Sequence, residues 1–324
     1  MFKNKSIKII FKATVGLILF LWLVYTIYHQ IKRQPDLKNT LQTMYSSWDM
    51  YKLGMLCLVF ILMFLNWTVE AKKWQQLMLN TERISLGKSL QSILTGVAVS
   101  VITPNRIGEY MGRILYLRNP NKIQGITVTI VGSFAQLIIT GFAGVIGLVY
   151  YLVVVKQLLW LYFLLGASLL LLLGLSYLYF HLQRFYKLVE RFSYFRKLKV
   201  YIEVVQRFGR TQLIRILLLS LLRYFVYTVQ LVLLMKLFLV NINILSLVHV
   251  IWLIFWAMAI VPTIAVVEVG VRGETAVYFL APLSTNYVGI LSATSVLWLI
   301  NLIIPALIGC LFVYKMKLYD DDQD

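Results

Sequence analysis

Acidic residues are scarce in this chain. Thirteen Asp and Glu stand against 31 Lys and Arg, and charged residues of both signs make up only 14% of its 324 positions, leaving a formal net charge of +18. An ordinary soluble domain carries about 25% charged residues. With 60% of its residues apolar, a soluble fold of this size could not cover its own apolar surface. Cysteine is nearly absent. Cys57 and Cys310 fall inside apolar runs and read as small buried hydrophobes, which excludes a disulfide framework and Cys-based metal spacing. The three histidines, His29, His181 and His249, are scattered, which argues against a metal site. Aspartate is missing from every apolar run. Asp36 and Asp49 precede one, and Asp320, Asp321, Asp322 and Asp324 form a tail, which reads as solvated terminus rather than metal ligand. Neither a catalytic residue nor a cofactor is expected.

What the chain has instead is apolar length. Its mean hydropathy is +0.80, and several runs reach the roughly 20 residues needed to cross the hydrocarbon of a bilayer. Full spans are expected at about 9–28, 52–70, 124–152, 157–180, 212–239 and 287–314. Barrel strands alternate apolar and polar residues; Leu158 to Leu173 does not, so the spans are helices. Lys3, Lys5, Lys8 and Lys12 lead the first run, with no small-residue cleavage site before Tyr25, Tyr28 and His29, so an uncleaved anchor is expected. The reading is an all-α integral membrane protein, a single polytopic domain over 1–324.

Two regions do not read as single spans. At about 86–117, an apolar segment ending at Ile102 meets Thr103-Pro104-Asn105-Arg106-Ile107-Gly108-Glu109. At about 246–282, Leu247 to Val261 meets Pro262 and then Glu268-Val269-Gly270-Val271-Arg272-Gly273-Glu274. Each resumes as a short apolar helix, from Tyr110 and from Thr275. Pro and Gly interrupt the helix between halves too short to cross alone. The reading is two re-entrant hairpins, with Pro104, Gly108, Pro262, Gly270 and Gly273 as their backbone hinges. A polar break is tolerated at membrane depth only where protein buries it or a wet cavity receives it.

Loop charge sets the orientation. With the N-terminus inside, inner segments hold about two thirds of the 31 basic residues, among them the basic loop at about 181–211; outer segments hold only Lys32, Arg33, Lys38, Lys52 and Lys156. That bias places both termini, including the acidic tail 316–324, in the cytoplasm. The loop mixes cations with aromatics such as Phe185, Tyr186 and Phe192 and is expected to lie on the anionic inner leaflet rather than to bind nucleic acid. Units at about 52–152 and 212–314 then share one pattern with opposite topology, the signature of an inverted repeat whose broken helices meet near the midplane.

The breaks hold the charges that need a reason, since each costs roughly 2.5–3.5 kcal/mol at the bilayer centre. Arg106, Glu109, Glu268, Arg272 and Glu274 sit at them, with Arg113 one turn beyond Glu109. Pairing within a helix, as at Glu109 and Arg113, is one account. A polar cavity for a charged headgroup is the other, with arginines taking phosphate and the helix ends after Gly108 and Gly273 favouring an anion. Ser133 and Gln136 either face that cavity or bond a neighbouring helix. Arg223 is expected to snorkel toward inner headgroups and Lys236 outward. Gly141, Gly144 and Gly147 make a close-packing face, and Pro305 kinks the last span. Glu70 is placed at the end of its span.

At Thr103-Pro104-Asn105-Arg106-Ile107-Gly108-Glu109 with Arg113, and at Pro262 with Gly270-Val271-Arg272-Gly273-Glu274, the sequence resembles the lysylphosphatidylglycerol synthase transmembrane family, or flippase-like membrane proteins. The resemblance runs from about 10 to 315. It implies a domain in a bacterial-type plasma membrane that moves a polar-headed, anionic or zwitterionic phospholipid between leaflets, with Arg106, Glu109, Arg113, Glu268, Arg272 and Glu274 at the substrate. Synthases of this kind carry a cytosolic aminoacyl-transfer domain after the membrane part; lysyl transfer is not expected of this chain. Two other readings stand beside it. One is a membrane-embedded transferase acting on a lipid-linked substrate, using Asp36, Asp49 or His29 on an outer loop. The other is a carrier of small anionic solutes.

Overall fold

The computed structural model describes Tyr25 and residues 37–101, 103, 107–118, 121–181, 203–261 and 265–321. The expected first span at 9–28, most of the basic loop, and Pro104, Arg106 and Pro262 lie outside the described residues.

Every regular element among the described residues is helical. In chain order they are α1 (Leu37–Ser46), α2 (Met50–Met78), α3 (Leu86–Val101), α4 (Gly108–Ile114), α5 (Lys122–Tyr150, continued by a π turn over Tyr151–Val155) and α6 (Leu159–Phe180). After a 3₁₀ turn at Glu203–Arg207 come α7 (Arg210–Leu237), α8 (Ile244–Ile260), α9 (Ala265–Leu280), α10 (Tyr287–Trp298), a π segment at Leu299–Ile303 and α11 (Ile304–Asp321). Short polar side chains start several of them. Asp49 accepts from the Lys52 N–H at 2.9 Å, Asn243 from Leu245 at 2.9 Å and Asn286 from Gly289 at 2.9 Å, each satisfying a donor the helix cannot. The π segment ends just before Pro305, where the missing N–H opens the helical ladder.

Five of the described helices are long and apolar enough to cross a membrane: Met50–Met78, Lys122–Val155, Leu159–Phe180, Arg210–Leu237 and Tyr287–Tyr314. The protein is an all-α, multi-pass membrane protein. Its outer surface is apolar, as lipid requires; α6 turns Leu159, Phe163, Leu170 and Leu173 outward. Cys57 and Cys310 are also exposed. They face outward rather than into the core, contrary to the sequence reading, because small apolar side chains suit lipid as well as protein.

The hydrogen bonds between α2 and α7 fix the topology. Gln230 donates to the Val59 carbonyl at 3.0 Å, Arg223 to Asn66 at 3.1 Å and Gln212 to the Gln76 carbonyl at 2.7 Å. Residue numbers rise along one helix as they fall along the other, so the two are antiparallel. Each is followed by a two-helix hairpin, α3–α4 after α2 and α8–α9 after α7. The hairpins therefore enter from opposite ends of the bundle. Packing is reciprocal as well: α2 lies on α7, α5 on the first arm of the second hairpin (α8), and α11 on the first arm of the first (α3). Such mutual contacts are what a two-fold relation between units produces.

Glycine permits these close approaches. A Cβ on Gly112 would lie 2.5 Å from the Gly96 Cα, so α3 and α4 touch backbone to backbone. On α5, Gly144 meets Trp256 and Gly147 meets the His249 carbonyl, which seats α8. Gly141, grouped with them in the sequence, makes only an ordinary contact with Leu172.

Three expectations are corrected. First, α2 does not end at Glu70 but runs on to Met78, because Trp74, Leu77 and Met78 are fully buried core residues. Glu70 and Lys73 are thus inside a helix, not at a loop. Secondly, the second break lies between Val261 and Ala265, and α9 passes unbroken through Glu268, Gly270, Arg272, Gly273 and Glu274. Gly270 and Gly273 are not hinges; a Cβ on Gly273 would sit 2.7 Å from Leu291, so it seats α10. No helix starts after Gly273, so no helix N-terminus offers free N–H groups there. Thirdly, the basic loop does not lie wholly on the leaflet. At its end Val204, Val205 and Phe208 are buried, and Arg207 donates to the Asn80 carbonyl at 3.3 Å.

Candidate functional site

The site begins with Glu70, which is 2% exposed. A carboxylate that deep in an apolar bundle is tolerated only when cations surround it. Lys73, one turn on, reaches it at 2.7 Å; Arg113 comes from α4 at 2.9 Å and Arg223 from α7 at 2.8 Å. Arg113 also holds Glu109, the i,i+4 pair expected from the sequence. Arg223 reaches Asn66 too, and Asn66 donates to Asn301 in the π segment at 3.2 Å. One carboxylate thus ties both units and the first hairpin together.

The second hairpin brings its own pair. Arg272 binds Glu268 at 2.7 Å along one face of α9. Each of the three arginines stacks on an aromatic ring as well: Arg113 over Trp74 at 5.6 Å, Arg223 over Trp67 at 5.3 Å and Arg272 over Tyr227 at 5.9 Å. Rings hold the planar guanidinium in place without neutralising it.

Two chambers open between these groups. The larger, about 470 Å³, is lined by Asn66, Trp67, Glu109, Gln136, Arg223, Tyr224, Tyr227, Glu268, Arg272, Trp298 and Asn301, among others. The smaller, about 240 Å³, is lined by Glu70, Lys73, Glu109, Arg113, Ser133, Gln136 and Arg223, among others. Glu109, Gln136, Thr140, Arg223 and Ala259 line both. Glu109 from the first hairpin and Glu268 with Arg272 from the second share one chamber, although the hairpins enter from opposite ends. Arg223 stands halfway along α7. The chamber therefore lies in the interior of the bundle, at depth. Its volume falls in the range of small-molecule sites, about 300–1,000 Å³.

Four cations and three carboxylates line the chambers, so the described wall carries one surplus positive charge. Arg223 and Glu109 keep 25% and 28% of their side-chain surface exposed, whereas Glu70, Arg113, Glu268 and Arg272 are almost wholly enclosed. The two half-open ions stand where a ligand can reach them.

The expected residues thus divide. Glu109, Arg113, Glu268, Arg272, Ser133, Gln136 and Arg223 line the chambers. Arg223 does not snorkel; the buried carboxylate of Glu70 attracts it more strongly than distant headgroups. Glu274 lines neither chamber, because it lies off the Glu268–Arg272 face of α9. Gly108 starts the short helix α4, but its N–H is taken by the Thr103 hydroxyl at 2.8 Å, which leaves that donor with no ligand to bind. Asp49 caps α2 and is spent there. Sequence reading missed Glu70, Lys73, Asn66, Tyr227 and Asn301. A signal for the first two existed: the apolar periodicity continues past them to Met78.

A comparison with curated proteins finds no match. The family described as "Lysylphosphatidylglycerol synthase TM region" matches residues 9–309, which takes in both hairpins and every chamber residue named above. The chain belongs to the lysylphosphatidylglycerol synthase transmembrane-region family.

Proposed function

We propose that this protein is a lipid translocase, moving a polar-headed phospholipid between the leaflets of a plasma membrane whose cytoplasmic side holds both termini. One observation carries the reading. Two hairpins from opposite ends of the bundle line a single charged chamber at its interior. Inverted repeats that meet in this way support alternating access, in which one unit rocks against the other around a fixed site.

The headgroup phosphate meets Arg223 and Arg272, and the acyl chains stay in lipid beside the apolar flank of the chamber at Met258, Ala259 and Val261. One surplus positive charge matches the single negative charge of a phosphodiester. Arg223 changes partner as the headgroup arrives, giving up part of its contact with Glu70, whose charge Lys73 and Arg113 still balance.

The test is transfer of a headgroup-labelled phospholipid across liposomes containing the purified protein. Arg272→Lys, which keeps a cation beside the buried Glu268 but loses the planar fork, and Arg223→Gln, whose side chain is one-quarter exposed, remain folded and slow transfer by about tenfold or more, the loss of one charge-assisted hydrogen bond of roughly 1.5–3 kcal/mol. Transfer at the unmodified rate in both variants removes the chamber from the mechanism.

A further inference from the structure

Far from the chambers, α1 stands apart from the bundle: its described side chains are all exposed. They are nonetheless sorted by chemistry. Leu41 and Tyr45, one turn apart, lie on one side of the helix, and Asn39, Gln42, Thr43 and Ser46, spaced three and four apart, lie on the other. Leu41 is 50% exposed and Tyr45 86%, apolar surface whose removal from water is favourable. The helix has ten residues, so it is about 15 Å long, half of what the hydrocarbon core of a bilayer requires. It does not cross. Three residues, Ser47 to Asp49, join it to the span α2. Asp49 is extended, at φ −135° and ψ 177°, and caps α2, so α1 is a separate helix rather than the first turns of that span. Three residues reach at most about 10 Å, which keeps α1 at the surface where α2 enters lipid. The Lys52 ammonium donates to the Ser47 hydroxyl and ties down this linker. Trp48 beside it, and Met50 and Tyr51 at the start of α2, are exposed as well. With Tyr45 they place two tyrosines and a tryptophan at one level, the composition of a membrane–water boundary.

We infer that α1 is an interfacial helix whose partner is a lipid surface. It lies along the bilayer where α2 begins, with Leu41, Tyr45 and Trp48 seated between headgroups and acyl chains and the side of Gln42, Thr43 and Ser46 in water. That polar side carries no charge, and Lys38, at the edge of the apolar side, is the one ionic residue in the sequence of α1. Apolar burial, not headgroup charge, therefore holds the helix to the surface. The apolar face continues directly into the lipid-facing start of α2. A second copy of the chain fits it less well, because two side chains on a 15 Å helix fall far short of the roughly 1,200 Å² that a stable interface buries. The inference needs only the membrane class and stands independently of the translocase reading.

The experiment reads the depth of each side of α1. Leu41→Cys, Tyr45→Cys, Gln42→Cys and Ser46→Cys are made singly in the full chain, with Cys57 and Cys310 replaced, and each carries a small fluorophore. The protein sits one per nanodisc, in phosphatidylcholine alone or mixed with phosphatidylglycerol. Iodide in the buffer quenches positions 42 and 46 at least about threefold more strongly than 41 and 45, and a nitroxide high on the acyl chains reverses that order, as an apolar face buried roughly 5–10 Å requires. Both patterns are the same in the two lipid mixtures. Equal quenching by iodide at all four positions puts α1 in water and overturns the inference. A pattern seen only in the anionic discs overturns it too, since charge would then be the attraction. Shielding of 41 and 45 from both quenchers gives the face to protein instead of lipid.

Discussion

Glu70 is the residue on which the site turns. Its neighbours Lys73, Arg113 and Arg223 lie within 2.9 Å of it, and Arg113 pairs with Glu109 as well. Glu70→Gln leaves buried cations without their counter-ion, a loss of the kind that costs about 3–5 kcal/mol. The expected outcome is a large fall in thermal stability in detergent, well beyond that of Arg223→Gln, whose side chain is one-quarter exposed. Equal stability of the two variants would show that the cations find other partners. Glu82 offers a milder case outside the spans. Its partial burial opposes ionisation, but hydrogen bonds from Asn121 at 3.0 Å and the Arg118 N–H at 3.1 Å, with nearby Lys88 and Arg118, outweigh that and hold its carboxyl below the usual range. A depressed carboxylate stabilises the fold above its unfolded pKa, about 4.3, and that contribution is lost as pH falls through the lower folded value. The loop after α4 should therefore stay protected from hydrogen exchange from pH 8 to 5 and loosen only in stronger acid. Glu82→Gln removes that acid step.

At the scale of elements, the first hairpin depends on backbone contact. Gly112→Ala puts a Cβ 2.5 Å from the Gly96 Cα, with the Thr95 carbonyl 2.8 Å away. Neither backbone can yield without separating α3 from α4, so a loss of about 1–3 kcal/mol is expected. Gly166→Ala in α6 is the control: nothing lies within 4 Å of its Cβ, and a helix-interior alanine there is neutral or slightly stabilising. Thermal unfolding of the two variants checks the difference. The same hairpin closes at its mouth through Asn121, at the head of α5, which donates to Glu82. The second hairpin closes at the corresponding point of its own mouth, at the other end of the bundle, through Asn286 at the head of α10, which donates to the Phe238 and Leu239 carbonyls at 3.0 and 3.1 Å. One mouth uses a carboxylate and the other only backbone, so the two ends of the bundle differ in their sensitivity to acid.

For the whole molecule, the antiparallel pairing of α2 and α7 makes a prediction about sidedness. Single cysteines at Asn80 and Arg118, in a background with Cys57 and Cys310 replaced, label from one side of the membrane. Cysteines at Asn241 and Ser284 label from the other. Impermeant maleimide on intact cells reads this directly, and labelling of all four from one side would end the inverted arrangement.

Apolar length and composition by themselves determined the membrane class, the approximate extent of the five described spans and the two interruptions. These depend on local content: a run either can cross lipid or cannot, and Pro or a cluster of ions either breaks it or does not. The pairing of Glu109 with Arg113 was also legible, because i,i+4 geometry is local. Tertiary structure alone decided which ions meet. Glu70 lies more than 150 positions from Arg223, and only the antiparallel packing of two helices sets them face to face. It likewise turned Glu274 away from the chamber, since an unbroken α9 carries Glu268 and Arg272 on one face and Glu274 on another. Hydropathy marks where a charge is costly; the fold determines which partner compensates it.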